Sequence, residues 1–501
     1  MRDPNYGRLA GLLRVLLLTG ALLYPIVFLI LAAVRIPYPF QLEWLEGGSL
    51  DEVGRILAGR NLYGPPSVDF VPFIYAPLYY YAAAALSSVA GLGFAPLRFL
   101  SFAASLGCFL LIFLLVKRET DSRLPATLSF CLFAATYHES GTWFDLARVD
   151  SLFLFFLLFA VYLVRFGRSA AAHALAGVCI ASACLTKQIG VIAALLLAIY
   201  DLVWERRRAP HFIGITLGLL GGTALVLNRG SDGWFWYYVF ELPRHHSWWP
   251  RNLIYFWTHD LGSTLPIAAL GACFYFLVRP QESADGAGRF YALTAGGMLG
   301  IAFTSRLNAG SFRNVLLPAF AILCVLFGLG VDAAGRLIRA APIGHQGMLE
   351  AFLYFVCLAQ FGALFYDPFK QVPSRDDLEA GRKLVRTLAD LPGRVLIPSH
   401  PYLLLLAGRQ THLHEMAMND ILLYDRGKVR DRMVAEMRKA ISERNFEAVI
   451  LEDSFWFKDD IERCYRERGE VFDKPGVFWP LVGWQTRPRA IYVPRSSAPC
   501  G

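Results

Sequence analysis

Charge is what this chain has least of. Charged residues make up 18% of its 501 positions, against about 25% in an ordinary soluble domain. That scarcity argues against a disordered tail or a highly solvated binding module. It also weakens a nucleic-acid reading of the net charge of +8, because the basic residues sit in short loops rather than on one surface. Internal repeats and low-complexity segments are missing, which argues against a solenoid or a linker. A signal-peptide cleavage site is missing as well. Arg2, Arg8 and Arg14 lead an apolar run from about Ala10 to Val34, too long for a signal core and read here as a first span with its N-terminus inside. Cysteine is not scarce, but seven of the nine (Cys108, Cys131, Cys179, Cys184, Cys273, Cys324 and Cys357) lie in apolar segments as small core residues. Only Cys464 and Cys500 fall in the polar tail, where a disulfide between them is one possibility.

Apolar residues are abundant: 55% of the chain is hydrophobic and the mean hydropathy is +0.43. They cluster in stretches of roughly bilayer-crossing length. After the first run, candidate spans fall near 97–116, 124–137, 151–164, 169–186, 189–203, 211–228, 262–279, 291–304, 315–333 and 348–366. Lys117–Arg123, Arg165–Arg168, Arg206–Arg208, Arg279–Arg289 and Arg336–Arg339 form alternate basic loops. Placing them all in the cytoplasm gives about eleven spans, N-terminus in and C-terminus out. The stretch Tyr75–Ala90 must then lie in the outer interface instead of crossing.

The expected fold is therefore a multi-spanning α-helical membrane domain over residues 1–366 with an interfacial helix in its first outer loop. A small extracytoplasmic α/β domain over 367–501 follows, with short strands at Arg394–Pro398, Ala448–Leu451 and Ala490–Val493 and an amphipathic helix at Lys428–Arg444.

The outer segments hold the candidate chemistry. The first carries Glu43, Glu46, Asp51 and Glu52. Asp51 and Glu52 suit a first helical turn. Glu46, followed by Gly47-Gly48, suits a general base at the membrane surface, because glycine lets a ligand approach the backbone. The second carries Arg148 and Asp150 at the mouth of a span, costly so near hydrocarbon unless paired or used; Glu139 and Asp145 read as solvated. Lys187 interrupts two spans with almost no loop, as a snorkelling lysine or as a contact for a phosphate. Arg244, His245, His246 and Arg251 are interleaved with tryptophans, and Arg306 and Arg313 follow. Cations on the outer face run against the usual bias and suggest an anionic partner such as a lipid phosphate. His412 and His414 have the spacing of a weak metal pair.

Glu46 leading into ILAGRNLYG, then Tyr75-Ala-Pro-Leu-Tyr-Tyr-Tyr, Arg98, Ser101 and Arg148-Val-Asp150 resembles the GT-C glycosyltransferases. The likeness is to bacterial relatives of protein O-mannosyltransferases (family 39) and of the aminoarabinose lipid A transferase. It covers residues 10–200 well, is loose over 200–370 and weak in the tail. One departure is Leu45 before Glu46, where the family usually has Asp-Glu. The resemblance implies an inverting enzyme of a bacterial inner membrane, with a periplasmic tail. Its donor would be a polyprenyl-phosphate sugar, its acceptor a lipid, glycan or protein, and nucleic acid no partner. Glu46 would be the base and Asp150 would orient the acceptor or share a metal. Lys187, Arg306, Arg313 and Arg251 would hold the lipid phosphate, with Asp51, Glu52, Arg148, Tyr75, His245 and His246 in support. No cofactor is required, though a divalent metal is compatible. The alternative from another class, a lipid-linked-sugar flippase, calls for polar residues at mid-membrane and broken helices; here the charges gather at one side.

Overall fold

The first apolar run folds as one 32-residue helix, α1 (Pro4–Arg35), about 48 Å long at 1.5 Å per residue. The computed structural model describes residues 4–278, 286–452, 454–495 and 500. Arg2 and Arg279 lie outside them. All of the other predicted apolar segments are helical too. They form α4 (Phe94–Thr120), α5 (Arg123–Ala135), α6 (Asp150–Phe166), α7 (Ala170–Thr186), α8 (Val191–Trp204) and α9 (Ala209–Gly230), then helices Pro266–Val278, Ala287–Leu307, Leu317–Ala340 and Ile343–Ala363. By length and composition alone, four helices can cross a membrane, or up to six if each of two bent pairs counts as one span.

Helix Leu317–Ala340 is apolar on every side and buried throughout its most apolar stretch, as a central helix of a bundle must be. α9 is as long as a span, yet only 11% of its apolar stretch is buried. Leu217 and Val226 are 65% and 68% exposed. An uncovered apolar helix of that length calls for a lipid surround, not water.

Before the bundle continues, the chain lays down α2 (Glu46–Leu57) and α3 (Leu78–Ala90). α3 covers the predicted interfacial stretch, is only 13 residues long and turns at Gly91 into α4. It buries Tyr79 and Tyr80 and exposes Tyr81.

The tail contains a four-stranded sheet in the order β1 (Val395–Leu396), β2 (Ala448–Leu451), β4 (Ala490–Pro494), β3 (Tyr465–Glu470). β1 runs parallel to β2, and β4 is antiparallel to both of its neighbours. Three strands fall where the sequence placed them, and the amphipathic helix forms at Lys428–Ser442. Strand β3 was not expected. Its sequence YRERGE carries charge at four of six positions, and only Tyr465 is buried, so it lacks the apolar alternation that marks a half-buried strand. Cys464 and Cys500 are both free thiols.

The tail does not stand apart. Phe40, Leu50 and Tyr79 of the outer layer share one hydrophobic core with Leu388, Val449 and Phe478 of the tail. The Leu481 and Val482 amides donate to the Leu42 carbonyl at 2.9 and 3.2 Å, and the Trp44 indole donates to the Ser399 carbonyl at 2.9 Å. Gly381, in helix Arg375–Asp390, allows this docking, because a β-carbon there would press into the buried rings of Phe40 and Phe478. In an exposed helix, Gly→Ala would gain about 1 kcal/mol. Here overpacking of rigid rings, about 1–3 kcal/mol, outweighs that gain. Gly381→Ala is expected to lower the melting temperature of the purified protein. An unchanged or higher value would mean that the tail does not press on the outer loop at this point.

Candidate functional site

The first outer loop is held by an arginine from α4. Arg98 is fully buried, and all of its donor atoms are engaged. Nε and Nη2 donate to Glu46 Oε1 and Oε2 at 2.8 and 2.7 Å. Nη1 donates to the carbonyls of Arg35 and Tyr38 at 2.9 and 2.7 Å, and Nη2 also to that of Phe40 at 2.6 Å. Glu46 in turn accepts from the amides of Ala147 and Leu42 at 2.7 and 2.6 Å. Burial alone would raise the Glu46 carboxyl, but Arg98 and these amides overcome it and hold the group below the usual glutamate range.

Glu46, the residue expected as the base, is thus a fully engaged carboxylate. Its oxygens are saturated and sealed, and its proton affinity is lowered. A carboxylate held by these four donors fixes the geometry of the loop.

Three residues earlier stands Glu43. It is 1% exposed, accepts only the Leu45 amide, at 3.1 Å, and lies 3.7 Å from Arg148 Nε. Burial pushes its carboxyl up to about 7, only partly offset by Arg148 and the Leu45 amide. Arg148, 3% exposed, donates from Nη2 to Tyr75 Oη at 3.0 Å and sits over the Tyr75 ring. Its Nε and Nη1 have no hydrogen-bond acceptor among the described residues. Beyond it, Asp150 Oδ1 accepts from Lys187 Nζ at 2.7 Å and from the Asn314 amide at 2.9 Å. Glu43, Arg148, Asp150 and Lys187 thus form a buried group of alternating charge. Arg148 and Asp150 are not the simple ion pair that their spacing allows; each has its own partner. Lys187, expected at a phosphate, rests against Asp150.

Several other candidates lie apart. Arg306 pairs with Asp260 at 2.7 Å, and Arg313 with Glu139 at 3.0 Å. Arg251 stacks on Trp249. Among the described residues, no hydrogen bond, ion pair or ring contact joins any of the three to the Glu43 group, so the structure does not gather them into one phosphate site. His245 is exposed, while His246 faces Asp420 at 3.5 Å and packs on Tyr424 of the tail. His412 bonds to Asp69, and His414 accepts the Met416 amide, so the two rings do not converge on a metal. Among the described residues, no group of three or more His, Cys, Asp or Glu side chains is placed to hold one.

Two acidic readings are also corrected. Asp145 is not solvated: it is fully buried, 2.9 Å from Arg35 and bonded to Tyr137. Asp51 and Glu52 do not open α2, which begins at Glu46. They lie on its second turn, with both Asp51 oxygens and Glu52 Oε2 buried and without partners. Sequence reasoning missed Arg35 and Asn314. Arg35 had a signal, a basic residue at the outer end of the first span; Asn314 had none.

Residues 74–227 match the family described as dolichyl-phosphate-mannose-protein mannosyltransferase. Among solved structures, ArnT from Cupriavidus metallidurans in the apo state aligns at 12% identity and a TM-score of 0.61, over 94% of this chain and 97% of that one. The same protein bound to undecaprenyl phosphate gives 11% and 0.61, over 95% and 98%. Its fold is GT-C. Archaeal oligosaccharyltransferase AglB from Archaeoglobus fulgidus, in complex with an inhibitory peptide and a dolichol-phosphate, aligns at 12% identity and a TM-score of 0.50, over 86% of this chain and 69% of that one. No curated protein sequence matches. The fold is thus the one that the sequence motifs suggested, and residues 74–227 carry the family match.

Glu52, with one oxygen on the Phe73 amide and the other without a partner, gives a pH test. Burial raises the Glu52 carboxyl to about 8, against smaller opposing effects of the Phe73 amide and Arg55. The folded state therefore binds a proton that the unfolded state has lost from about pH 4.3 upward. Stability from this group is complete below that pH and is lost as pH rises through about 8. Glu52→Gln mimics the protonated form. It should leave the melting temperature nearly unchanged at pH 4 and raise it relative to wild type by a margin that grows from there to about pH 8 and stays at its largest at pH 9. Parallel pH profiles for the two proteins would show that Glu52 is ionised throughout.

Proposed function

We propose that this GT-C chain transfers a sugar from a polyprenyl-phosphate carrier to an acceptor at the extracytoplasmic face, with inversion, and that Glu43 is the base. The observation that carries the reading is Arg148: a buried guanidinium with two unpartnered nitrogens, beside a carboxyl raised to about 7 and a lysine–aspartate pair. A buried cation short of acceptors suits an incoming phosphate.

The acceptor hydroxyl attacks the anomeric carbon, and the bond from that carbon to the phosphate oxygen breaks. Its electron pair leaves with the polyprenyl phosphate, and the hydroxyl proton passes to Glu43. A single displacement inverts the centre. Arg148 and Lys187 stabilise the charge that develops on the departing phosphate. Asp150 and Asn314 position Lys187, and Glu46 with Arg98 positions the loop that carries Glu43. The polyprenyl phosphates bound in the ArnT and AglB structures support the donor class. This chemistry loads the phosphate onto side-chain cations; adding and chelating divalent ions in the assay tests whether a metal shares that load. Leu481–Gly483 cover Glu43, so on this reading an acceptor reaches it only when that segment moves aside.

The proposed topology keeps about eleven crossings, with residues 1–366 as the membrane domain and 367–501 as the extracytoplasmic one, in a bacterial plasma membrane. Cysteines introduced singly by Arg207→Cys and Ser454→Cys should then label from opposite sides of the membrane. Labelling from the same side overturns the topology.

Glu43→Gln should lower turnover by about 10²–10⁴ while leaving the fold intact. The acid limb of the kcat/KM profile near pH 7, where activity rises as Glu43 ionises, should disappear with it. Glu46→Gln should behave differently. It strands Arg98 in the interior at a cost of about 3–5 kcal/mol, so the protein should lose thermal stability as well as activity. A Glu43→Gln protein with normal turnover and an intact limb would falsify the assignment.

A further inference from the structure

At the opposite end of the helices from Glu43 lies a second polar cavity of about 530 Å³. Arg98 and Arg118 share α4, and the twenty residues between them span about 30 Å. The cavity is lined by Arg118, Arg165, Arg168 and Arg208 together with Glu119 and Glu205. Four arginines against two glutamates leave two positive charges in excess.

The four do not have equal freedom. Arg165 is spent on Glu119, which it grips through two bonds of 3.0 and 2.9 Å. Arg208 pairs with Glu205 at 2.6 Å. Arg118 is exposed and lies over the Tyr162 and Phe166 rings. Arg168 is exposed and has no hydrogen-bond or ion partner among the described residues. The excess charge therefore rests on Arg118 and Arg168.

The turn that carries Arg168 is built, not loose. His173 and Asp201, both fully buried, pair at 2.7 Å, and the other ring nitrogen of His173 meets the Gly167 carbonyl at 3.2 Å. A β-carbon on Gly167 would run into the Leu163 carbonyl and Ala172, so the tight approach needs glycine. Ser169 then caps α7 by accepting the Ala172 amide, which leaves the positive end of that helix beside the cavity.

We propose that this cavity is a phosphate-binding site separate from the transfer site. It would take the phosphate of an anionic phospholipid headgroup, or a free phosphate of the same chemistry. Two unpaired guanidinium groups, a helix N-terminus and a fixed turn supply the donors that such an anion takes up. The basic loops place this end on the side where anionic headgroups are bound by arginine pockets.

The test uses full-length protein stripped of lipid in a neutral detergent, with thermal unfolding as the readout. Phosphatidylglycerol, phosphatidylcholine and sodium phosphate are titrated separately against wild type and an Arg118→Gln/Arg168→Gln double variant. Phosphatidylglycerol should stabilise wild type more than phosphatidylcholine does, with an apparent affinity at least about tenfold weaker in the double variant. A variant-sensitive response to sodium phosphate of equal size would assign the site to free phosphate; a response to phosphatidylglycerol alone would assign it to a headgroup. Equal responses of wild type and variant to every titrant, or no response to either anion, overturn the site. Sugar transfer serves as a control, because neither arginine contacts the Glu43 group.

Discussion

The Glu46–Arg98 ion pair is the constraint on which the outer half of the molecule depends. Arg98 supplies five donor contacts, two to Glu46 and three to the carbonyls of Arg35, Tyr38 and Phe40. That uses every N–H a guanidinium has. Glu46 reaches back to the amides of Leu42 and Ala147. One buried pair thus ties the end of α1, the first outer loop, the start of α2 and the second outer loop to α4. A buried ion pair is seldom a net source of stability compared with apolar packing, but losing one partner is costly. Its use here is to fix register: Arg98 satisfies the Tyr38 and Phe40 carbonyls, which would otherwise be buried away from water.

Around that fixed point the charges divide into satisfied and unsatisfied sets. Arg35 with Asp145, and Arg98 with Glu46, are closed pairs with no exposure. Arg306 with Asp260 and Arg313 with Glu139 brace the outer loops from further along the chain. Among the described residues, Arg148 is the buried outer arginine that stays 3.7 Å from its nearest carboxylate with two nitrogens lacking a hydrogen-bond acceptor. In a low-dielectric setting such a group is expensive unless something else completes its shell. That expense is why the proposed site centres on Arg148 and not on the more numerous exposed cations of the tryptophan-rich segment.

Much of the architecture was legible because membrane helices announce themselves by length and apolarity. Each predicted apolar segment is a helix, and three strands of the tail fall on the runs rich in β-branched residues. What escaped was partnership. The sequence shows that a carboxylate stands at Glu46, but not that Arg98, fifty-two residues on, will saturate it. Asp145 and Asp150 look alike in a short polar loop, yet one closes on Arg35 and the other on Lys187. Asp51 and Glu52 read as helix-opening acids only while α2 is thought to start at them; it starts at Glu46, and the tail then covers them. Strand β3 was hidden for the opposite reason: five of its six residues are exposed, so its sequence carries no buried face to detect.

The two glutamates of the first loop show how environment, not residue type, divides the labour. Both are at most 1% exposed, so desolvation opposes ionisation of each. At Glu46 two charge-assisted bonds from Arg98 and two strong amide bonds more than cancel it, and the carboxyl is held below its usual range. At Glu43 one amide and an arginine too distant for a hydrogen bond do not, and the carboxyl rises to about 7. A carboxylate that ionises readily and is fully engaged is a poor proton acceptor but a good anchor. One that ionises near neutral pH with a free oxygen has the affinity that general-base catalysis requires. The departure from the GT-C motif at Leu45 is then intelligible. Leu45 stands where that motif has its acid, and on the proposed reading the nearest carboxylate with both the right proton affinity and an unengaged oxygen is two positions further back, at Glu43.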